Sequence, residues 1–416
     1  MNRAKCVLLV SMSVLLAGGA CSADDWPQFR GPSRDGKSAE TGLLKEWPEG
    51  GPKLLWSVDG LGIGFSSVAV ADGFIYTTGM IDGEGFLFAY DLAGNLKWKE
   101  SYGPEWTGSY RGTRTTPTVD ADRIYMFSGT GVMVCFDSKT GRKIWDVDTL
   151  RKFDGKNIRW GMSCSPLIDG DKVYCTPGGK KGTVVALDRM TGRTIWATTG
   201  LDELSAYCSP ILIERGGRRL LITMIQKSVI CVSPDDGRLI WRVPYPASSE
   251  TNTITPIYHN GYLYVTNVVN RGITSAGTMF QLSPDGTSVR KKWNDQTLDC
   301  QHGGVILLDG YLYGSNWYNN TRGDWICLKW DSGQVVYKAT WNGYKGSIIY
   351  ADGMFYCYDE AGNVGLAKAS PKGFDVVSMF TITHGSGKHW GHPAISDGRL
   401  YIRHGEALMA YDISSK

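Results

Sequence analysis

Ser165–Trp196, SPLIDGDKVYCTPGGKKGTVVALDRMTGRTIW, reads as one complete unit of a repeat. Pro166 opens an apolar run that Asp169-Gly170-Asp171 turns back. A second run carries Tyr174, and a Gly-rich turn follows with Gly178, Gly179 and Gly182. The third run, Thr183–Leu187, ends at Asp188. Thr191-Gly192 then leads into a last strand closing on Trp196. β-Branched and aromatic residues alternating between such short Gly/Asp turns predict an antiparallel four-stranded meander. One meander cannot bury both of its faces, so it needs copies of itself alongside.

The copies are present. The opening proline recurs as Pro117, Pro166, Pro210, Pro256 and Pro393. The second-strand aromatic recurs as Tyr76, Tyr125, Tyr174, Tyr264, Tyr313, Tyr356 and Tyr401, with a spacing of 49 from Tyr76 to Tyr125, Tyr125 to Tyr174 and Tyr264 to Tyr313. The ending D-x-x-T-G-x-x-x-W is complete at Asp137–Trp145 and Asp188–Trp196. It is degenerate at Asp91–Trp98, Pro234–Trp241 and Asp285–Trp293, and weakest at Asp331–Tyr337 and Ser370–Val377. The last unit, His392–Asp412, stops after three strands. Lys53–Val58, with Trp56 in the tryptophan slot, supplies the fourth. The chain therefore reads as all-β. The repeats predict a closed ring of eight four-stranded antiparallel blades over residues 53–412, an eight-bladed β-propeller with its last blade closed by an N-terminal strand. Closure removes free sheet edges, which favours a ring over an open solenoid and a monomer over an assembly.

The 416 residues are 42% hydrophobic and 20% charged, which is globular, and a ring of units needs no single core of that size. The net charge of +3 falls by two when Arg3 and Lys5 leave with a leader, so nothing points to nucleic acid or to an anionic membrane surface. Residues 1–23 have the anatomy of a signal peptide: basic Arg3 and Lys5, apolar Val7–Ala17, then small residues to Cys21. Two cleavages fit. Cutting before Cys21 leaves a lipid-modified cysteine, although Gly18 stands where a bacterial lipobox usually has Leu; cutting after Ala23 leaves a soluble exported protein. Either route places the protein in the periplasm or anchored at the outer membrane, with a lipid on Cys21 as its one membrane contact.

Of the eight cysteines beyond Cys6 and Cys21, seven fall in repeated slots: Cys135, Cys231 and Cys327 in third strands, Cys175 and Cys357 in second strands, Cys164 and Cys208 two residues before the opening proline. Repeated slots predict small buried thiols rather than a disulfide framework. No spacing resembles a zinc site. Residues 24–52 form an N-terminal arm whose WPQFRGPSRDG places Trp26, Phe29 and Arg30 where they need cover. Their expected place is against the outside or bottom of the ring; the alternative is over the axial opening. No helical periodicity is long enough for a helix. The longer excursions Lys99–Thr115, Asp146–Cys164 and Phe380–Gly391 all lie between units.

The pattern DG-x-x-Y … ALD-x-x-TG-x-x-x-W, with Gly141/Trp145 and Gly192/Trp196, resembles the pyrroloquinoline-quinone (PQQ)-type β-propeller repeat. WPQFRGPSRDG, RGTRTTPTVD, CTPGGKKGTVVALD and CQHGGVILLDGYLYG are similar to exported bacterial PQQ-like propellers, and the resemblance spans roughly residues 26–412. It implies the fold strongly and an activity weakly. Relatives include quinoprotein alcohol dehydrogenases and the BamB-like propeller lipoprotein of the outer-membrane β-barrel assembly machinery, which binds no cofactor.

Propeller geometry says where a site would be. The first strand of each blade lies beside the central channel, so residues just before it converge on one mouth. In order they are Phe65, Arg114, Trp160, Tyr207, Asn252, His302, Lys345, and His389-Trp390 with His392. Concave, convergent polar groups mark sites. Arg114 and Lys345 suit carboxylates. Trp160 or Trp390 suits a planar ring or a sugar face. His302, His389 and His392 suit proton transfer or metal ligation, although no spacing demands a metal. No catalytic residue stands out.

The resemblance to quinoprotein dehydrogenases implies PQQ with a calcium ion held by carboxylate and amide oxygens, and an Asp base. Glu105, Asp202, Glu203 and Glu250 lie several residues from the ring positions; only Asp299 is near, and Asn252 is the only ring amide. Many such enzymes have adjacent cysteines, and this chain has no Cys-Cys pair. A haem-attachment C-x-x-C-H, a G-x-S-x-G elbow and a phosphate loop are also missing; Gly178–Thr183 (GGKKGT) reads as a hairpin. No cofactor is expected. The expectation is an exported binding or scaffold module for a protein, small-molecule or glycan partner. The alternative is a PQQ-dependent alcohol or sugar dehydrogenase with PQQ and calcium in the funnel. Convergence of Asp299, Asn252 and Glu250 would favour the second.

Overall fold

The computed structural model describes residues 25–247, 251–268 and 276–415. The leader at 1–23, with Cys21, lies outside them, as does Glu250. The described strands form eight four-stranded antiparallel sheets, an eight-bladed β-propeller. Seven blades follow chain order. The eighth takes Ala394–Ser396, Arg399–His404 and Ala407–Asp412 from the C-terminus and Lys53–Val58 from the N-terminal side.

The tryptophan ending has a structural cause. In the third blade Ala186 faces Trp196 but Leu187 faces Thr194, so the fourth strand bulges just before the tryptophan. The same bulge precedes Trp98, Trp145, Trp241 and Trp293, and recurs at Trp56 in the closing strand. A bulge re-aims a side chain. Here each indole stacks near its own blade's tyrosine where one is present, and reaches the last turn of the next blade. Trp145 lies 6.0 Å from Tyr125 and donates Nε1–H to Arg189 O at 3.0 Å. Trp196 lies 5.7 Å from Tyr174 and donates to Pro234 O at 2.9 Å. Trp56 closes the ring by donating to Leu92 O of the first blade at 2.9 Å. The turn glycines are needed twice over: Gly192 and Gly237 have φ of +70° and +73°, and a Cβ there would stand 2.8 and 2.4 Å from the indoles of Trp145 and Trp196.

The seventh blade departs from its expected slot. Leu366 faces Ser378, which puts the docking position at Ser378 rather than Val377. Trp47 of the arm fills the gap. It is buried, packs 6.2 Å from Tyr356 and 5.0 Å from Phe380, and its backbone N–H donates to Ser378 Oγ at 2.9 Å. A second departure is one short helix, Thr149–Phe153, inside an excursion. Asp148 caps it by accepting from Arg151 N, and five residues are too few to show a period. Eight described cysteines are free and buried. Gly178–Thr183 is a hairpin, with Gly178 N donating to Thr183 O at 3.1 Å.

The first part of the arm, with Trp26, Phe29 and Arg30, does not lie on the outside. It threads the axis. Trp26 pairs with Val70, and Pro27 O accepts from Val119 N, in the first strands of the first two blades. Arg34 donates to Ser165 O and Pro210 O at 3.1 and 3.5 Å and to Pro166 O, in the third and fourth blades. Arg30 reaches Val305 O in the sixth at 2.7 Å, and Lys37 pairs with Tyr350 in the seventh. One segment can touch innermost strands all round the ring only by standing in the channel. A channel wall of short first strands exposes carbonyls, and two buried guanidinium forks satisfy four of them.

Candidate functional site

Above this plug the channel opens as a funnel of about 470 Å³. Its floor includes Phe29 of the arm, 4.9 Å edge-on to His392. All three long excursions build its wall: Ser109, Tyr110 and Arg114 from the first, Arg159, Trp160 and Ser163 from the second, Trp390 from the third. Ser165, Tyr207, Thr251, Thr253, Gln301, His302 and Asn320 complete it with Phe65. Among described residues no carboxylate lines the funnel.

Of the positions expected at the mouth, Phe65, Arg114, Trp160, Tyr207, His302, Trp390 and His392 come together there. Asn252, Lys345 and His389 do not. Asn252 is buried and spends its amide on Ile225 O at 2.9 Å and on Asn267 at 3.0 Å. Lys345 turns inward to Glu360, Nζ to Oε1 at 2.6 Å, with both side chains nearly inaccessible. His389 stacks on His404 at 3.8 Å and bonds Tyr358 Oη at 2.6 Å. Asn252 and His389 are spent on contacts between blades and Lys345 on an ion pair within its own blade, choices that spacing does not reveal.

The Lys345–Glu360 pair organises one wall from behind. Glu360 accepts the Trp390 indole N–H on both oxygens, at 3.0 and 2.8 Å, and lies 3.3 Å from His302 Nε2. Lys345 Nζ stands 3.5 Å from His302 Nδ1. Both His302 nitrogens thus face the buried pair, and burial with the nearby Lys345 cation holds its pKa well below the ordinary histidine value. Trp390 is then fixed among Phe65, Tyr110 and His302, at 5.0, 5.0 and 5.2 Å.

On the other wall Trp160 packs 5.8 Å from Tyr207, and the exposed Arg159 guanidinium lies 5.0 Å over the Trp160 ring. Arg114 donates to Gly112 O and Ser109 O at 2.7 and 3.3 Å and to Tyr110 O, shaping its own loop. Burial lowers it only to about 10, so it stays charged. Tyr110 Oη accepts from Asn320 Nδ2 at 3.3 Å, which bridges two distant loops at the rim. At the floor His392 Nε2–H donates to His302 O at 2.6 Å, leaving Nδ1 as a buried acceptor without a partner among the described residues. Burial and the Arg30 charge bring His392 down to about 3. It is neutral at pH 7 and a weak base.

The carboxylates considered for calcium stand apart. Glu105 accepts from Tyr102 Oη, Trp106 N and Gly129 N at 2.7, 2.6 and 2.8 Å. Glu203 accepts from Lys227 N and Ser228 Oγ and pairs with Arg242. Asp299 accepts from Trp317 N at 3.1 Å. Among described residues no cluster of three acidic, His or Cys side chains is placed to hold a metal.

A closed ring of eight such blades around a funnel defines a PQQ-like β-propeller. The chain belongs to the family described as outer membrane protein assembly factor BamB, whose model matches residues 49–198 and 83–339. It is 26% identical over 160 residues to a quinoprotein ethanol dehydrogenase of Pseudomonas aeruginosa, covering 36% of this chain and 25% of that protein. It is 29% identical over 142 residues to the outer membrane protein assembly factor BamB of Kangiella koreensis, covering 33% of this chain and 32% of that one. The matches thus span about a quarter and a third of these relatives. The crystal structure of BamB from Moraxella catarrhalis superposes with a TM-score of 0.61 at 16% identity, over 88% of this chain and 98% of that one, which speaks for the fold.

Proposed function

We propose that this chain is an exported binding module of the cell envelope that takes a small polar ligand in the axial funnel and needs no quinone cofactor. The lining carries this reading: two arginines, two tryptophans, hydroxyls and amides, and no described carboxylate. A calcium-supported quinone site needs converging carboxylate and amide oxygens and a carboxylate base. Asn252 and Asp299 are engaged elsewhere. The basic side chains do not replace that base, because His302 faces a buried ion pair and His392 is a weak base. The relatives named for outer-membrane assembly support an envelope location, and the expected leader supplies export. Cys21 stands five residues before Trp26, at most roughly 18 Å of extended chain. A lipid there would hold the plugged face toward the membrane and the mouth away from it.

Thermal unfolding of the leaderless protein with and without PQQ plus Ca²⁺ tests this reading. A ligand that binds only the folded state raises Tm by mass action. No shift at saturating cofactor is expected. A clear rise that disappears in Arg114→Ala would place the protein with the dehydrogenases instead.

A further inference from the structure

We infer that the funnel takes an acidic saccharide, a carboxylate-bearing sugar seated by the end of its chain; this rests on the binding-module reading above. The charge comes first. Arg114 and Arg159 line the cavity, while the one buried lysine behind the wall is already neutralised by Glu360. Arg159 is exposed and stacked on Trp160, with its guanidinium edge open to a ligand, and no ion pair with a described residue engages it. A guanidinium fork matches a carboxylate in geometry as well as in sign.

The surface comes second. Trp160 and Trp390 are half-buried, and each is held in orientation: Trp160 by Tyr207 and its backbone N–H to Tyr207 Oη at 3.3 Å, Trp390 by the double bond to Glu360. Fixed flat indoles favour a ligand with a flat apolar face and a polar edge, which a sugar ring has.

The third observation separates a sugar from other anions. Thr253 Oγ1, Gln301 Oε1 and His392 Nδ1 are buried polar atoms without partners among the described residues, and all three residues line the cavity. His392 already donates through Nε2, so its Nδ1 needs a donor. A sugar brings hydroxyl donors, reached directly after small side-chain rotations or through a bridging water. A planar polycarboxylate quinone brings acceptors and almost no donors; it can take the Thr253 hydroxyl proton but leaves the acceptors Gln301 Oε1 and His392 Nδ1 unsatisfied. Finally, the arm closes the floor, with Phe29 beneath the cavity and Arg30 and Arg34 tied to the channel wall. A polymer cannot thread such a funnel, so a chain end must enter.

The experiment titrates the leaderless protein with a galacturonic acid trisaccharide and with the neutral galactose trisaccharide, read by tryptophan fluorescence and calorimetry. Saturable binding of the acidic sugar alone is expected, with Arg159→Ala and Trp160→Ala each weakening it about tenfold or more, and with Tm unchanged in Arg159→Ala. Equal binding of the neutral sugar, or full affinity in Arg159→Ala, overturns the acidic-saccharide assignment and leaves the binding-module reading standing. No response to either sugar also overturns it. No response together with a Tm rise from PQQ plus Ca²⁺ overturns both.

Discussion

Trp47 of the N-terminal arm lies 6.2 Å from Tyr356 and occupies the place that Trp196 takes beside Tyr174 in the third blade. The seventh blade has Ser378 at its docking position, and the arm supplies the missing indole. The arm is therefore part of the propeller's packing, joined to it at both the channel and the outer edge.

Trp47→Ala should destabilise the protein by about 3 kcal/mol, near the low end of the roughly 3–5 kcal/mol expected for Trp196→Ala, because both indoles are buried against neighbouring blades. Urea unfolding of both variants measures this. A loss under about 1 kcal/mol for Trp47→Ala would show that the seventh blade docks without it.

Glu360→Ala leaves the Lys345 ammonium buried without its partner and should cost about 3–5 kcal/mol. It also frees the Trp390 indole, so Trp390 emission should shift to the red. The double variant Lys345→Met/Glu360→Leu should recover most of the stability, though not the emission, because the indole N–H still lacks its acceptor. Full stability in the single variant would mean that the pair is solvated.

Arg34→Met should cost about 2–4 kcal/mol, since it strips the carbonyls of Ser165, Pro166 and Pro210 of a charged donor inside the channel. Loosening of the plug should show as faster hydrogen exchange in the channel-lining strands of the third and fourth blades. Unchanged exchange there would place the arm outside the axis.

Acid should weaken the fold before most carboxylates titrate. His389 is held at about 4 by burial with the neighbouring His404 and Lys388, and His392 at about 3 by burial with Arg30; His302 is held low by burial, Lys345 and His392. All three bind protons more readily unfolded, near the ordinary 6.5. Their contribution is complete above that value and is lost as pH falls toward the folded values, by roughly 1.5 kcal/mol per histidine between pH 6.5 and 5. Chemical denaturation across that window should show this slope, and His392→Gln should flatten it. A His392→Gln profile parallel to that of the native protein would contradict a neutral buried His392.

Much of this molecule was legible in its sequence. Blade number, strand order, the closing strand and the buried cysteines follow from repeated slots, because each slot performs one packing task and the task selects the residue. Trp47 and Ser378 show where that logic stops: the seventh slot is filled from the arm, and no local pattern links residues so far apart. At the site, the three long excursions marked the wall, and their length is the signal that could have found Tyr110 and Arg159. Glu360 and Asn320 carried no such mark, since one acts through a buried ion pair and the other through a rim contact.

The sequence by itself determined the ring, because alternation, turn glycines and docking tryptophans are local and repeat with the blade. Only the tertiary structure decided which mouth residues face the funnel, that Asn252 and His389 turn into the seams, and that Lys345 turns in to Glu360. It also decided that the arm plugs the axis. Those choices depend on which buried donors and acceptors satisfy one another across blades, and that accounting is made in space and not along the chain.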